Sequence, residues 1–233
     1  MEIISFKKED MSEYGKTATG SVFSAHVKIK DIETRASEMI RIISDTSWNE
    51  KLNAVERASF RARSQRTIEK LVDLIKSRIE NEISTEFGEF LVSETAQSTL
   101  GALGHTKVPL AEILKEKVTG NPGFDFHTES GSKIVAFGEA KFSSTINPHP
   151  NALNQIVEFI ELEKDTAELI IIQNFVSVEA TENSLNGKRA YAAAFSINSD
   201  SPENIIKNAL KSSAINPLLA FPEIYVIGIE TDA

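Results

Sequence analysis

Gly123-Phe124-Asp125 and, fourteen positions after that acid, Glu139-Ala140-Lys141 place two carboxylates and an amine on two short apolar runs, Gly123–His127 and Lys133–Phe142. Glu129-Ser130-Gly131-Ser132 between them has the composition of a hairpin turn. Side chains alternate along a strand, so Glu139 and Lys141 share a face, and a paired hairpin brings Asp125 toward that face from the neighbouring strand. Two acids and a lysine converging on a sheet edge form a costly arrangement unless something is bound there. Hard oxygen ligands beside an amine suit a divalent cation and an activated water.

Working outward, Gly120-Asn121-Pro122-Gly123 breaks the chain before the first run. Leu110–Val118 reads as a short helix or irregular strand. Upstream, Ser84 or Thr85 caps a helix over Glu86–Leu100 with acids in its first turn, and Gly101 and Gly104 end it. Downstream, Asn147-Pro148-His149-Pro150 marks a loop, and Asn151 caps an amphipathic helix to Glu163. Leu169–Val178 is almost continuously apolar, as expected for a fully buried central strand. Tyr191–Ile197 and Ile224–Ile229 are two further strands, with a Ser201-capped helix between them.

The N-terminal third alternates apolar and polar positions over residues 1–30, which predicts peripheral strands. A helix follows over Asp31–Ser44, and Ser47 caps a long helix from Trp48 to Ile83. Gly15-Lys16-Thr17 is a turn and not a phosphate loop, because Asp10 stands where that loop needs a glycine. These elements predict an α/β (α+β) fold with a central mixed sheet flanked by helices and a helical N-terminal portion. The boundary falls between residues 1–83, a partner-binding extension, and residues 84–233, the core.

The absence of cysteine excludes disulfides, thiolate metal sites and cysteine nucleophiles. No apolar run approaches the roughly 20 residues of a membrane span, and Lys7, Lys8, Glu9 and Asp10 are unlike a secretory leader. A cytoplasmic location is expected. The net charge of −9 argues against a generally basic nucleic-acid coat. Its distribution is uneven: residues 51–79 hold eight basic and three acidic residues, and residues 142–182 hold one lysine and seven acids. The basic helix is either a solvated face laced with ion pairs or a contact for nucleic-acid phosphate or a partner.

Phosphodiester hydrolysis needs a water nucleophile, stabilisation of added negative charge and help for the leaving oxygen, all of which carboxylate-held Mg²⁺ (or Mn²⁺) supplies. Asp125 and Glu139 suit the metal role, with the backbone carbonyl of Ala140 completing the coordination. Lys141 then contacts the phosphate and positions or deprotonates the water, its pKa lowered by the metal and by burial. The competing reading makes Asp125 a turn residue and Glu139–Lys141 an exposed ion pair. The four histidines have no metal-ligand spacing; His127, the one near the motif, is either a site residue or, as expected here, solvent-facing.

These segments together resemble the core motif of the PD-(D/E)xK, or restriction-endonuclease-like, nuclease superfamily. Pro122 precedes Gly123 here, not the acid itself. Gln155 and Phe159 resemble the Q-x-x-x-Y motif of RecB-type members, with Phe replacing Tyr. Glu86 and Glu89 lie on the preceding helix, where such nucleases often carry one more metal-linked acid; ordinary first-turn acids are the alternative, and Glu89, deeper in the helix, is preferred. The run Pro109–Phe142 is similar to the HamA nuclease subunits of Hachiman anti-phage defence. That resemblance implies a DNase held inactive by a partner helicase (HamB-like) and released when infection alters DNA. The alternatives are a catalytically silent scaffold that binds DNA or a helicase, and a housekeeping repair nuclease or resolvase.

Overall fold

The computed structural model describes residues 1–78, 84–115 and 123–231. The Gly120-Asn121-Pro122 breaker, the end of the expected 110–118 segment and residues 79–83 lie outside those described.

Among the described residues, seven strands form one sheet: β1 (Glu2–Glu9), β2 (Ser21–Ile29), β3 (Thr106–Lys107), β4 (Phe126–Glu129), β5 (Val135–Lys141), β6 (Ala190–Ile197) and β7 (Glu223–Thr231). Their spatial order is β1-β2-β7-β6-β5-β4-β3. The central β2, β7, β6 and β5 run parallel, while β1 and the β4–β3 pair are antiparallel to their neighbours. The expected mixed sheet is therefore present. Only β1 is peripheral in the N-terminal third; β2 lies inside the sheet against β7, so strands from both sides of residue 83 share one sheet.

Among the described residues, eight helices flank it: α1 (Ile32–Ser44), α2 (Ala54–Arg78), α3 (Thr85–Ala102), α4 (Ala111–Lys115), α5 (His149–Glu161), α6 (Lys164–Ile172), α7 (Val178–Leu185) and α8 (Pro202–Lys211). One face of the sheet packs on α1, α3 and the later part of α2 through Ala25, Ala192, Ala194, Ile227, Met39, Leu71 and Leu91. The other packs on α5, α6 and α8 through Phe137, Tyr191, Phe195, Val226, Ile156, Leu169 and Leu210. Burial on both faces explains why β6, Ala-Tyr-Ala-Ala-Ala-Phe-Ser-Ile, shows no polar alternation. Among the described residues no helix is long and apolar enough to cross a membrane.

Several local expectations are corrected. Leu169–Val178 is not a strand: its first part ends α6, and Val178 begins α7. The inward residues of α6 are Asp165, Glu168, Leu169 and Ile172, a helical spacing, while Ile170 is 70% exposed. Two of those four positions are acids, so a reading by hydrophobicity sees only the apolar run after them. The buried parallel strand that follows is β6. The long helix starts at Ala54, where the Asn53 side-chain Oδ1 accepts from the N–H groups of Val55 and Glu56; Ser47 and Trp48 lie in a separate 3₁₀ turn, Ser47–Lys51. An Asn cap satisfies two otherwise orphaned amides. Similarly α5 starts at His149 with Pro150 in its first turn, where a missing N–H costs nothing, so Asn151 is within the helix. Ser201 stands at the N-cap of α8 without a side-chain capping bond.

Candidate active site

The hairpin expected from the sequence is present as β4–β5, with Phe126 opposite Gly138 and Glu129 opposite Val135. The tight turn has its left-handed residue at Lys133 (φ 59°), not at a glycine. At Gly138 a Cβ would lie 2.2 Å from the Phe126 ring. Glycine there lets the two strands keep their register with that ring packed across.

Asp125 immediately precedes β4. Its N–H donates to the Gly138 carbonyl (2.8 Å), its carbonyl accepts from the Ala111 N–H (3.3 Å), and its Oδ2 accepts from the Ala140 N–H (2.8 Å). The side chain thus caps the β5 backbone between the two other motif residues. Glu139 and Lys141 continue the face of Val135 and Phe137, as alternation requires. Lys141 Nζ donates to Glu139 Oε1 at 2.8 Å and lies 3.8 Å from Glu89 Oε1. Because β5 is an interior strand, these groups meet at its C-terminal end and not at a sheet edge.

Glu139 is 1% exposed, and its Oε2 has no hydrogen-bond partner among the described residues. The exposed-ion-pair reading therefore fails for this residue. Burial, reinforced by Asp125, raises the Glu139 pKa well above the usual carboxylate range, against the opposing pull of Lys141. Burial likewise raises Asp125 to about 6, although the Ala140 N–H and Lys141 oppose it. For Lys141 burial acts downward, but Glu139, Asp125 and Glu89 outweigh it and the pKa is raised. Burial alone therefore does not lower the lysine as expected: without a cation, the three carboxylates around the amine outweigh it.

Of the helix acids, Glu89 faces the site through Lys141, and Glu86 is exposed. Gln155 is half-buried on α5 and, among the described residues, makes no hydrogen bond to Asp125, Glu139 or Lys141. Phe159, one turn on, packs edge-on against Phe124 at 5.2 Å, so an aromatic without a hydroxyl is in keeping with its apolar setting.

His127 is not solvent-facing. It is buried beside Phe124 and Phe137, with Nε2 2.6 Å from Glu168 Oε2, and burial holds its pKa down. Two acids near the site escaped the sequence reading. Glu112 on α4 is buried, its Oε2 lacks a partner among the described residues, and burial together with Asp125 pushes it up to about 8. Its signal was an acid inside the apolar stretch Leu110–Leu114. Glu168 was hidden by the strand reading of the residues after it. It and Asp165 are buried and paired, so two of the seven acids over 142–182 do not lie on the surface.

Among the described residues no group of three or more His, Cys, Asp or Glu side chains forms a ready-made metal cage. The donors that could hold a cation are Asp125 and Glu139, with the Ala140 carbonyl between the Glu139 and Lys141 side chains. A buried carboxylate oxygen without a donor, in a pair of acids that burial resists ionising, fits a hard divalent ion. No curated protein and no solved structure matches the chain. The HamA family model matches residues 3–230, a span running from β1 into β7 and including the whole hairpin, and the chain belongs to that family.

Proposed function

We propose that this chain is a metal-dependent DNA nuclease, the effector of an anti-phage system that a helicase partner holds inactive. Family membership supports the defence role and the helicase partner. The observation that carries the chemistry is Glu139: a buried acid with one oxygen on Lys141 and the other without a partner among the described residues, beside Asp125. The order α3, β4, β5, α5, β6 around it supports a restriction-endonuclease-like core.

In this reading Asp125, Glu139 and the Ala140 carbonyl hold Mg²⁺ (or Mn²⁺), and Glu89 assists from α3. The ion, when bound, supplies Lewis acidity toward the phosphate and an activated water. Lys141, kept protonated by the surrounding acids, pairs with a phosphate oxygen and orients the attacking water. Gln155 is assigned to the same site from α5. In the 1–83 portion, the exposed Arg61, Arg66 and Lys70 of α2 are assigned to DNA or helicase contact.

The test is incubation of plasmid DNA with the purified chain and Mg²⁺, with and without the helicase encoded beside it. Wild type, Glu139→Ala and Lys141→Ala are compared. Mg²⁺-dependent nicking under at least one condition, lost in both variants, is expected. Nicking that survives both substitutions removes the site assignment; a wild type silent under every condition favours the scaffold.

A further inference from the structure

We propose that Glu168 is a positioning residue, which locks the segment carrying Asp125 so that Oδ1, the carboxylate oxygen not bonded to Ala140, is held for the cation; the inference rests on the metal-dependent reading above. α6 brings Glu168 to the back of the chain entering β4. There Oε1 accepts from the Phe124 N–H at 3.1 Å and from Lys115 Nζ, and Oε2 accepts from His127 Nε2. Lys115 also donates to the Phe124 carbonyl at 3.0 Å. Both peptide groups flanking Phe124, the residue before Asp125, are therefore held by one buried ion pair.

Gly123 is shaped to this clamp. A Cβ at that position would lie 1.8 Å from Glu168 Oε1, so the carboxylate reaches the Phe124 amide only past a glycine. Downstream, the N–H, carbonyl and Oδ2 of Asp125 are each committed to Gly138, Ala111 and Ala140. Oδ1 is the remaining oxygen, and its position follows from that of the backbone. Outer partners that fix a ligand's orientation commonly govern metal affinity as much as the ligands do.

The same helix supplies the control. Asp165, one turn before Glu168 and buried still more deeply (1% against 8% exposed), pairs with Arg189 and Tyr191 and, among the described residues, bonds none of residues 123–127. Its loss tests what removing a buried acid from α6 does by destabilisation alone.

The experiment is calorimetric titration of the full chain with Mn²⁺, without DNA, for wild type, Glu168→Gln, Lys115→Met and Asp165→Asn, with thermal melts alongside. Glu168→Gln is expected to weaken Mn²⁺ binding by roughly 10–100-fold, and Lys115→Met by a smaller factor. Asp165→Asn is expected to lower Tm yet leave affinity within about twofold of wild type. Wild-type affinity in Glu168→Gln, or an equal loss in Asp165→Asn, overturns the proposal and leaves the metal site standing. If Glu168→Gln does not fold, unchanged affinity in Lys115→Met overturns it. A wild type that binds no Mn²⁺ overturns the metal reading, and the clamp with it.

Discussion

The Oδ2 of Asp125 accepts the backbone N–H of Ala140 at 2.8 Å, which joins the two halves of the motif across the hairpin. A side-chain oxygen here does the work of a ladder carbonyl, so the acid is held by the strand that carries Glu139 and Lys141. Relative placement of the three groups thus depends on the β4–β5 register more than on any loop.

Glu139→Gln preserves shape and removes the buried charge. Under conditions where wild type nicks plasmid DNA, the rate is expected to fall by about 10²–10³. In chelator the same variant is expected to melt above wild type, since an acid that burial resists ionising has been neutralised. Lower thermal stability in chelator would mean that the Lys141 pair outweighs the burial of the acid.

A pH dependence follows from Asp125, whose folded-state pKa is raised to about 6 from an ordinary 3.8. The stabilisation from its protonated form is complete below the unfolded value and is lost as pH rises through about 6. Asp125→Asn retains an oxygen for the Ala140 N–H. Without divalent ions, this variant is expected to match wild type near pH 4 and to exceed it by roughly 1–3 kcal/mol near pH 8. Denaturant unfolding at the two pH values measures this, and a variant less stable near pH 8 contradicts it.

Gly138→Ala forces a methyl group onto the Phe126 ring. A cost of about 1–3 kcal/mol is expected. Because strand register carries the site, Mn²⁺ affinity is expected to fall with it. Urea unfolding together with ion titration tests both.

The helical form of residues 164–172 makes a sharp distinction between neighbouring isoleucines. Ile170→Lys, at a site 70% exposed, is expected to change stability by no more than about 0.5 kcal/mol. Ile172→Lys, at a site 1% exposed, is expected to prevent folding or to cost more than about 3 kcal/mol. Equal sensitivity at both positions would support the buried strand. At the start of α2, Asn53→Ala should cost about 1 kcal/mol and Ser47→Ala much less, read from Tm.

Local chemistry was enough to recognise some elements. The hairpin shows in its turn residues and in the strand alternation that puts Glu139 and Lys141 on one face. The Ser84 cap announces α3, and the Ile32–Ser44 periodicity announces α1. The nearness of Glu139 and Lys141 was legible from strand alternation, and that of Asp125 from the hairpin pairing; Glu89, inside α3, was singled out only by the resemblance, and the fold brings it 3.8 Å from Lys141 Nζ.

Position in the packed fold settled the rest. Leu169–Ile172 reads as strand or helix equally well until the inward acids Asp165 and Glu168 are seen to have partners on β6, β4 and α4. His127 appears as an ordinary polar strand residue, and its burial depends on a carboxylate 41 positions later that hydrogen-bonds its ring. Lys141 holds its proton because three acids from three separate segments surround it. Short-range patterns record how each segment bonds to itself. The charge state of a buried group and the clamp behind Asp125 depend on contacts between segments distant in sequence, which exist only after those segments have packed together.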